Sequence, residues 1–136
     1  MYIYMFENEI MILKKTIKCS YSPYSKFQVS CLIVTNDDKH YVGTNVENSS
    51  FALTICAEVA AISNAISNGQ DMSNIKRVFI FTNSSNAITP CGACRQILFE
   101  IIDENTEIVT IGNENQCTYK ISELLPGGFR LHQRCP

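Results

Sequence analysis

Apolar side chains at Phe6, Ile10, Leu13 and Ile17 recur at three- and four-residue spacing. That is the period of one helical face, and it predicts an amphipathic first helix ending near Cys19. Tyr21-Ser22-Pro23-Tyr24-Ser25 breaks it, because proline disfavours helical geometry in the residue before it. From Gln28 to Thr35 the chain turns to β-branched and apolar residues. Asn36-Asp37-Asp38-Lys39 is a turn signal, and His40 to Val46 returns as the second strand of a hairpin. Thr54 is placed to cap a helix running to Asn68, closed by Gly69.

Arg77 to Thr82 reads as a buried strand, and Cys91 to about Glu104 as a helix with Ile97 and Ile101 inward. Glu107 to Ile111 and a segment near Cys117 to Ile121 supply two further strands. The order α-β-β-α-β-α-β-β implies an α/β fold, a central five-stranded mixed sheet with helices packed on both faces. At 136 residues the whole chain, 1–136, fits a single domain with a real core and no room for a second.

The net charge is −2 and no Lys/Arg block stands out. The electrostatic footprint of a nucleic-acid binder is therefore missing, which favours a small-molecule partner. Seven cysteines invite a secreted disulfide framework, but the number is odd. Met1 to Leu13 lacks a basic leader and a sustained apolar core, so neither a signal peptide nor a membrane span is expected. A reducing, cytoplasmic compartment follows, where clustered cysteines are metal ligands or small core residues more often than bridges.

Two short runs carry the chemistry: Cys56-Ala57-Glu58 and Pro90-Cys91-Gly92-Ala93-Cys94. Both fall at expected helix starts, where orphan N–H groups and the helix dipole favour thiolate over thiol. Cys91 and Cys94 are one turn apart and aim at one point. If Cys56 converges on them, three sulfurs hold one tetrahedral zinc and leave the fourth position to water, the mark of a catalytic site. Glu58, two residues from Cys56, flanks the metal rather than completing its shell. There it can act as general base and then general acid. A Cys-x-x-Cys alone is often half of a structural zinc ribbon, but no second pair completes one here. Cys19, Cys31, Cys117 and Cys135 are scattered, and Cys31 is most simply core. His40 and His132 read as surface residues.

With these residues in place, the chain resembles the cytidine deaminase family in its small homotetrameric, three-cysteine form. The resemblance runs from about Pro23 to Phe129. It rests on Pro23-Tyr24-Ser25-Lys26-Phe27, Asn45-Val46-Glu47-Asn48, the two runs above with Arg95-Gln96, and Leu124-Leu125-Pro126-Gly127-Gly128-Phe129. It implies hydrolytic deamination of cytidine and 2′-deoxycytidine to uridine and 2′-deoxyuridine, with release of ammonia, in pyrimidine salvage. It further implies one zinc per subunit, a nucleoside as substrate, no nucleic acid or membrane partner, and active sites at subunit interfaces of a homotetramer. Phe27 would pack against the pyrimidine or its sugar, and Asn45 and Glu47 would bind ribose. Backbone groups at Ala57 and near Thr89 would read the base, and Phe129 would reach a neighbouring subunit's pocket. From the residues alone, Phe27 and Phe129 are core by default, and Asn45-x-Glu47 reads equally as a hydrogen-bonded strand end.

One departure stands out. The family's three-cysteine members usually carry arginine directly after Cys-Ala-Glu, where this chain has Val59. Three thiolates on Zn²⁺ leave the site at −1, which resists further deprotonation of water. Arg95 is the nearest candidate in sequence to offset that charge. An aminonucleoside-antibiotic deaminase shares the zinc runs and tolerates such a valine, although Phe27, Asn45 and Glu47 argue for the nucleoside enzyme. A nucleic-acid editing deaminase is disfavoured by charge and chain length. A zinc-stabilised interaction module is the non-enzymatic alternative.

Overall fold

Strand β1 (Val29–Thr35) is buried along nearly its whole length, and alternate side chains enter two different cores. Cys31 and Ile33 join one, Leu32 and Val34 the other. A strand covered on both faces has no solvent side for polar residues, so it reads as a continuous apolar run. The computed structural model describes residues 5–131; His132 and Cys135 lie outside them. Strands β2 (His40–Thr44), β3 (Ile75–Thr82), β4 (Glu107–Ile111) and β5 (Gln116–Lys120) complete one five-stranded sheet in the order β2-β1-β3-β4-β5. Only β3 and β4 pair in parallel, the other neighbours being antiparallel. The sheet is mixed, as the element order implies.

Helix α1 (Glu7–Thr16), continued by a 3₁₀ turn at Ile17–Cys19, covers one face. Its apolar stripe of Phe6, Ile10, Leu13 and Ile17 packs with Leu32, Phe79 and Val109, and the Phe6 and Phe79 rings meet edge to face at 5.0 Å. Helices α2 (Ala57–Ser67), α3 (Gly92–Ile101) and the short α4 (Ile121–Leu124) cover the opposite face. Because β3 and β4 are parallel, a crossover must carry the chain back to the start of the sheet, and α3 lies in it. The start of α3 is thereby delivered beyond the end of β3, beside the start of α2.

Several boundaries depart from the sequence pattern. Thr54 does not cap α2; Cys56 is the N-cap residue. Thr54 instead closes a 3₁₀ turn at Phe51–Leu53, and Ile55 is held in a bridge to Val46, which delays the helix by two residues. At the other end Gly69, with φ +79°, terminates α2 as expected. Its N–H reaches the Ile66 carbonyl at 2.9 Å and the Gln70 N–H reaches Ala65 at 3.0 Å, which satisfies the last carbonyls. Helix α3 stops at Ile101 rather than near Glu104, and its fully buried residues are Cys94, Leu98 and Phe99. Ile97 and Ile101 are only partly buried at the edge of that core. The second strand ends at Thr44, and the last one is followed by α4, which the pattern does not reveal.

Candidate active site

Cys56 and Cys91 are the N-cap residues of α2 and α3, both with extended backbone. Neither side chain caps its helix by a hydrogen bond; Cys94 lies within the first turn of α3. The three sulfurs all lie within 4.8 Å of one another. Sulfurs bound at about 2.3 Å to one tetrahedral zinc stand roughly 3.8 Å apart, so this cluster fits the ion with small side-chain adjustments. Among the described residues no other group of three ligating side chains comes together. Cys31 is buried in the core as expected, whereas Cys19 and Cys117 are exposed.

The thiols are already polarised. Hydrogen bonding from Cys94, and secondarily from Cys91, lowers Cys56 to about 7 against the opposing effects of burial and the Glu58 charge. The same contact, with burial, pushes Cys94 far up.

Glu58 is only 5% exposed. Burial raises its pKa, partly offset by its own backbone N–H and by the Cys94 thiol. Among the described residues no cation pairs with it. A buried carboxylate without a counter-ion is rare in a stable core. Beside a cysteine cluster that could hold a metal ion, such a carboxyl is a candidate for proton transfer.

A cleft of about 310 Å³ opens above this floor, and Phe27, Asn45, Glu47, Cys56, Ala57 and Glu58 all line it. Five of the six expected substrate-facing and catalytic positions outside the metal set (Phe27, Asn45, Glu47, Ala57 and Glu58) thus share one space, and Phe129 does not. Phe129 is 63% exposed, and its carbonyl accepts from Gln96 Nε2 at 2.9 Å. A wider surface groove of about 450 Å³ near Tyr21 and Pro23 contains none of these groups.

Asn45 is more committed to the fold than the sequence suggests. Its Oδ1 accepts from the Ser20 hydroxyl and from the Val29 N–H at 3.0 Å. Its Nδ2 donates to the Phe27 carbonyl at 2.8 Å, leaving one amide hydrogen for a ligand. Glu47 is held by the N–H groups of Tyr24 and Ser25 at 3.1 and 3.2 Å. Hydrogen bonding from the Ser25 side chain is the main cause that keeps its carboxyl below the usual range. Ser25, Thr54 and Ile88 also line the cleft. Sequence reasoning missed them, and only their nearness to the recognised runs could have signalled them.

The family model described as cytidine and deoxycytidylate deaminase zinc-binding region matches residues 7–113. The chain belongs to that family. A cytidine deaminase of Mycoplasma genitalium is 38% identical over 120 residues, spanning 87% of this chain and 90% of its own. A probable cytidine deaminase of Dictyostelium discoideum is 40% identical over 113 residues, 81% of this chain and 74% of that protein. A crystal structure of cytidine deaminase from Burkholderia pseudomallei superposes with a TM-score of 0.87 at 32% identity, covering 92% of this chain and 99% of that one. The protein is therefore a hydrolytic deaminase of the zinc-binding type, and its cysteine cluster suits the metal.

In this deaminase Val59 is half-buried in the first turn of α2. Arg95 directs no hydrogen bond to the sulfurs. Its hydrogen bonds go to oxygens: the Pro90 carbonyl at 2.8 Å, Thr89 Oγ1 at 2.8 Å and the Leu124 carbonyl at 2.9 Å. Arg95 thus staples the segment leading into Cys91 to the end of α4.

Proposed function

We propose that the protein converts cytidine and 2′-deoxycytidine to uridine and 2′-deoxyuridine with release of ammonia, as a cytoplasmic step of pyrimidine salvage. Cys56, Cys91 and Cys94 hold one zinc per subunit, and Glu58 is the catalytic acid–base. The observation that carries this reading is the buried Glu58, without a counter-ion among the described residues, beside three converging sulfurs at a cleft of about 310 Å³.

When bound, zinc acts as a Lewis acid that brings the pKa of a coordinated water close to 7. Glu58 takes the proton from the attacking water and delivers it to N3 of the pyrimidine as oxygen bonds to C4. It then takes the remaining proton from the new C4 hydroxyl and passes it to the amino nitrogen, so that the C4–N bond breaks, the C4 carbonyl forms and ammonia leaves. Burial raises the carboxyl above its usual range, which makes it a stronger base toward water and keeps the proton on it until the substrate takes it. Phe27 packs on the base or sugar, the remaining Asn45 amide hydrogen and the Glu47 carboxylate bind ribose, and the backbone at Ala57 and Thr89 reads the base.

Phe51, Leu53 and Phe129 are 73%, 61% and 63% exposed. Large apolar side chains left in water support burial against other copies of the chain. We read the assembly as a homotetramer in which Phe129 enters a neighbour's pocket. Among the described residues no helix is long and apolar enough to cross a membrane.

The test is loss of cytidine absorbance with zinc-loaded protein, run across cytidine, 2′-deoxycytidine, their 5′-monophosphates and an aminonucleoside antibiotic. Turnover of both nucleosides with little of the monophosphates is expected. Preference for the antibiotic, or no turnover at all, would contradict the assignment.

A further inference from the structure

Asn83, the first residue past β3, holds the segment that carries Phe27. Its Oδ1 accepts from the Gln28 N–H at 3.1 Å and its Nδ2 donates to the Lys26 carbonyl at 3.1 Å. Its backbone N–H reaches the Gln28 carbonyl at 3.3 Å. One carboxamide therefore spans both peptide groups that flank Phe27. Lys26 has φ +60°, a left-handed conformation that an L side chain adopts only when its surroundings impose it. The Asn83 bonds are among those that do so.

The clamp has an anchor. The Asn83 carbonyl accepts from Asn113 Nδ2 at 3.2 Å, and the turn bearing Asn113 also grips the segment that runs on toward Cys91. Asn113 N–H donates to Ser84 and Glu114 N–H to Ser85, both at 2.9 Å, and Ala87 N–H donates to Asn115 Oδ1 at 2.6 Å. The Phe27 wall of the cleft and the wall leading to the ligand cysteines thus meet at Asn83, which itself does not line the cleft.

We propose that Asn83 is a positioning residue for nucleoside binding: it fixes Lys26–Gln28 so that the Phe27 ring is presented to the substrate. The inference rests on the reading that Phe27 contacts the nucleoside. A side chain that orders a binding wall before the ligand arrives acts mainly on affinity, by removing an ordering cost from the binding step.

The experiment is a double-mutant cycle on the zinc-loaded enzyme, with steady-state kinetics on cytidine for Asn83→Ala, Phe27→Ala and the pair. Asn83→Ala is expected to raise KM by roughly tenfold with a much smaller change in kcat. In the pair, KM should be no higher than in Phe27→Ala alone, because the clamp has nothing left to position. Asn83→Asp keeps the acceptor for Gln28 but loses the donor to Lys26, and should fall between Asn83→Ala and wild type. It also serves if the alanine variant does not fold. Multiplying effects in the pair, or an unchanged KM in the Asn83 variants while Phe27→Ala raises it, overturns the role of Asn83 and leaves Phe27 in place. An unchanged KM in Phe27→Ala overturns the Phe27 contact and the proposal with it.

Discussion

Gly43 in β2 faces the start of α2 so closely that a Cβ there would lie 2.6 Å from the Ala57 carbonyl oxygen and 2.3 Å from the Ala61 nitrogen. The missing side chain sets how deep the Cys56-Ala57-Glu58 turn sits against the sheet. Asn64 holds the same contact further along, with Nδ2 on the Val42 carbonyl at 3.1 Å. Gly43→Ala is expected to push α2 outward, costing about 1–3 kcal/mol as an overpacked contact does. It should also weaken zinc retention. Urea midpoints and metal content after dialysis check both effects, and a variant as stable and as zinc-rich as wild type would refute them.

Replacing Glu58 by glutamine keeps the shape and removes the titrating group. The Glu58→Gln variant should retain its zinc and lose roughly two to four orders of magnitude in kcat. It should melt no lower than wild type, since an unpaired buried carboxyl is a cost to the fold. Loss of zinc in this variant would make Glu58 a ligand instead.

The pH profile follows from the same residue. Glu58 must be ionised to accept a proton, and burial raises its pKa. The acid limb of the rate profile should therefore fall at higher pH than the ordinary carboxylate range. Val59→Arg adds a cation at the residue next to Glu58, which should favour the charged form of Glu58 and move the limb to lower pH. An unmoved limb with metal content intact would contradict this account of the charge balance.

The sheet is legible because burial on both faces gives β1, β3 and β4 long apolar, β-branched stretches such as residues 31–34 and 78–81, and the zinc runs because few other chemistries need those thiols and that carboxylate together. The start of α2 was not readable. Threonine is a stronger N-cap than cysteine in local preference, yet Thr54 ends the Phe51–Leu53 turn and Ile55 is tied to Val46 across the chain. Helix α4 has only four residues, too few to show a period. The structural duty of Asn45 and the clamp by Asn83 depend on partners distant in sequence, such as Lys26 and Gln28 for Asn83, which no local pattern encodes.

Phe129 is exposed while the backbone around it is fixed. Gly128 lies against the Phe99 ring, and Arg130 donates to the carbonyls of Phe99 and Ile102 while its guanidinium stacks 4.4 Å from the Phe99 ring. Phe129→Ala should raise KM for cytidine by roughly tenfold, as loss of an aromatic anchor at an interface does, with zinc content unchanged. Sedimentation of the variant shows whether assembly is weakened as well. Unchanged kinetics, with sedimentation like that of wild type, would contradict the proposal that Phe129 enters a neighbouring subunit's site.

X-ray absorption at the zinc edge of the loaded protein tests the centre of this account. It should show three sulfurs at about 2.3 Å and one lighter oxygen or nitrogen ligand at about 2.0 Å. A shell of four sulfurs, or of fewer than three, would contradict an open catalytic site built from Cys56, Cys91 and Cys94.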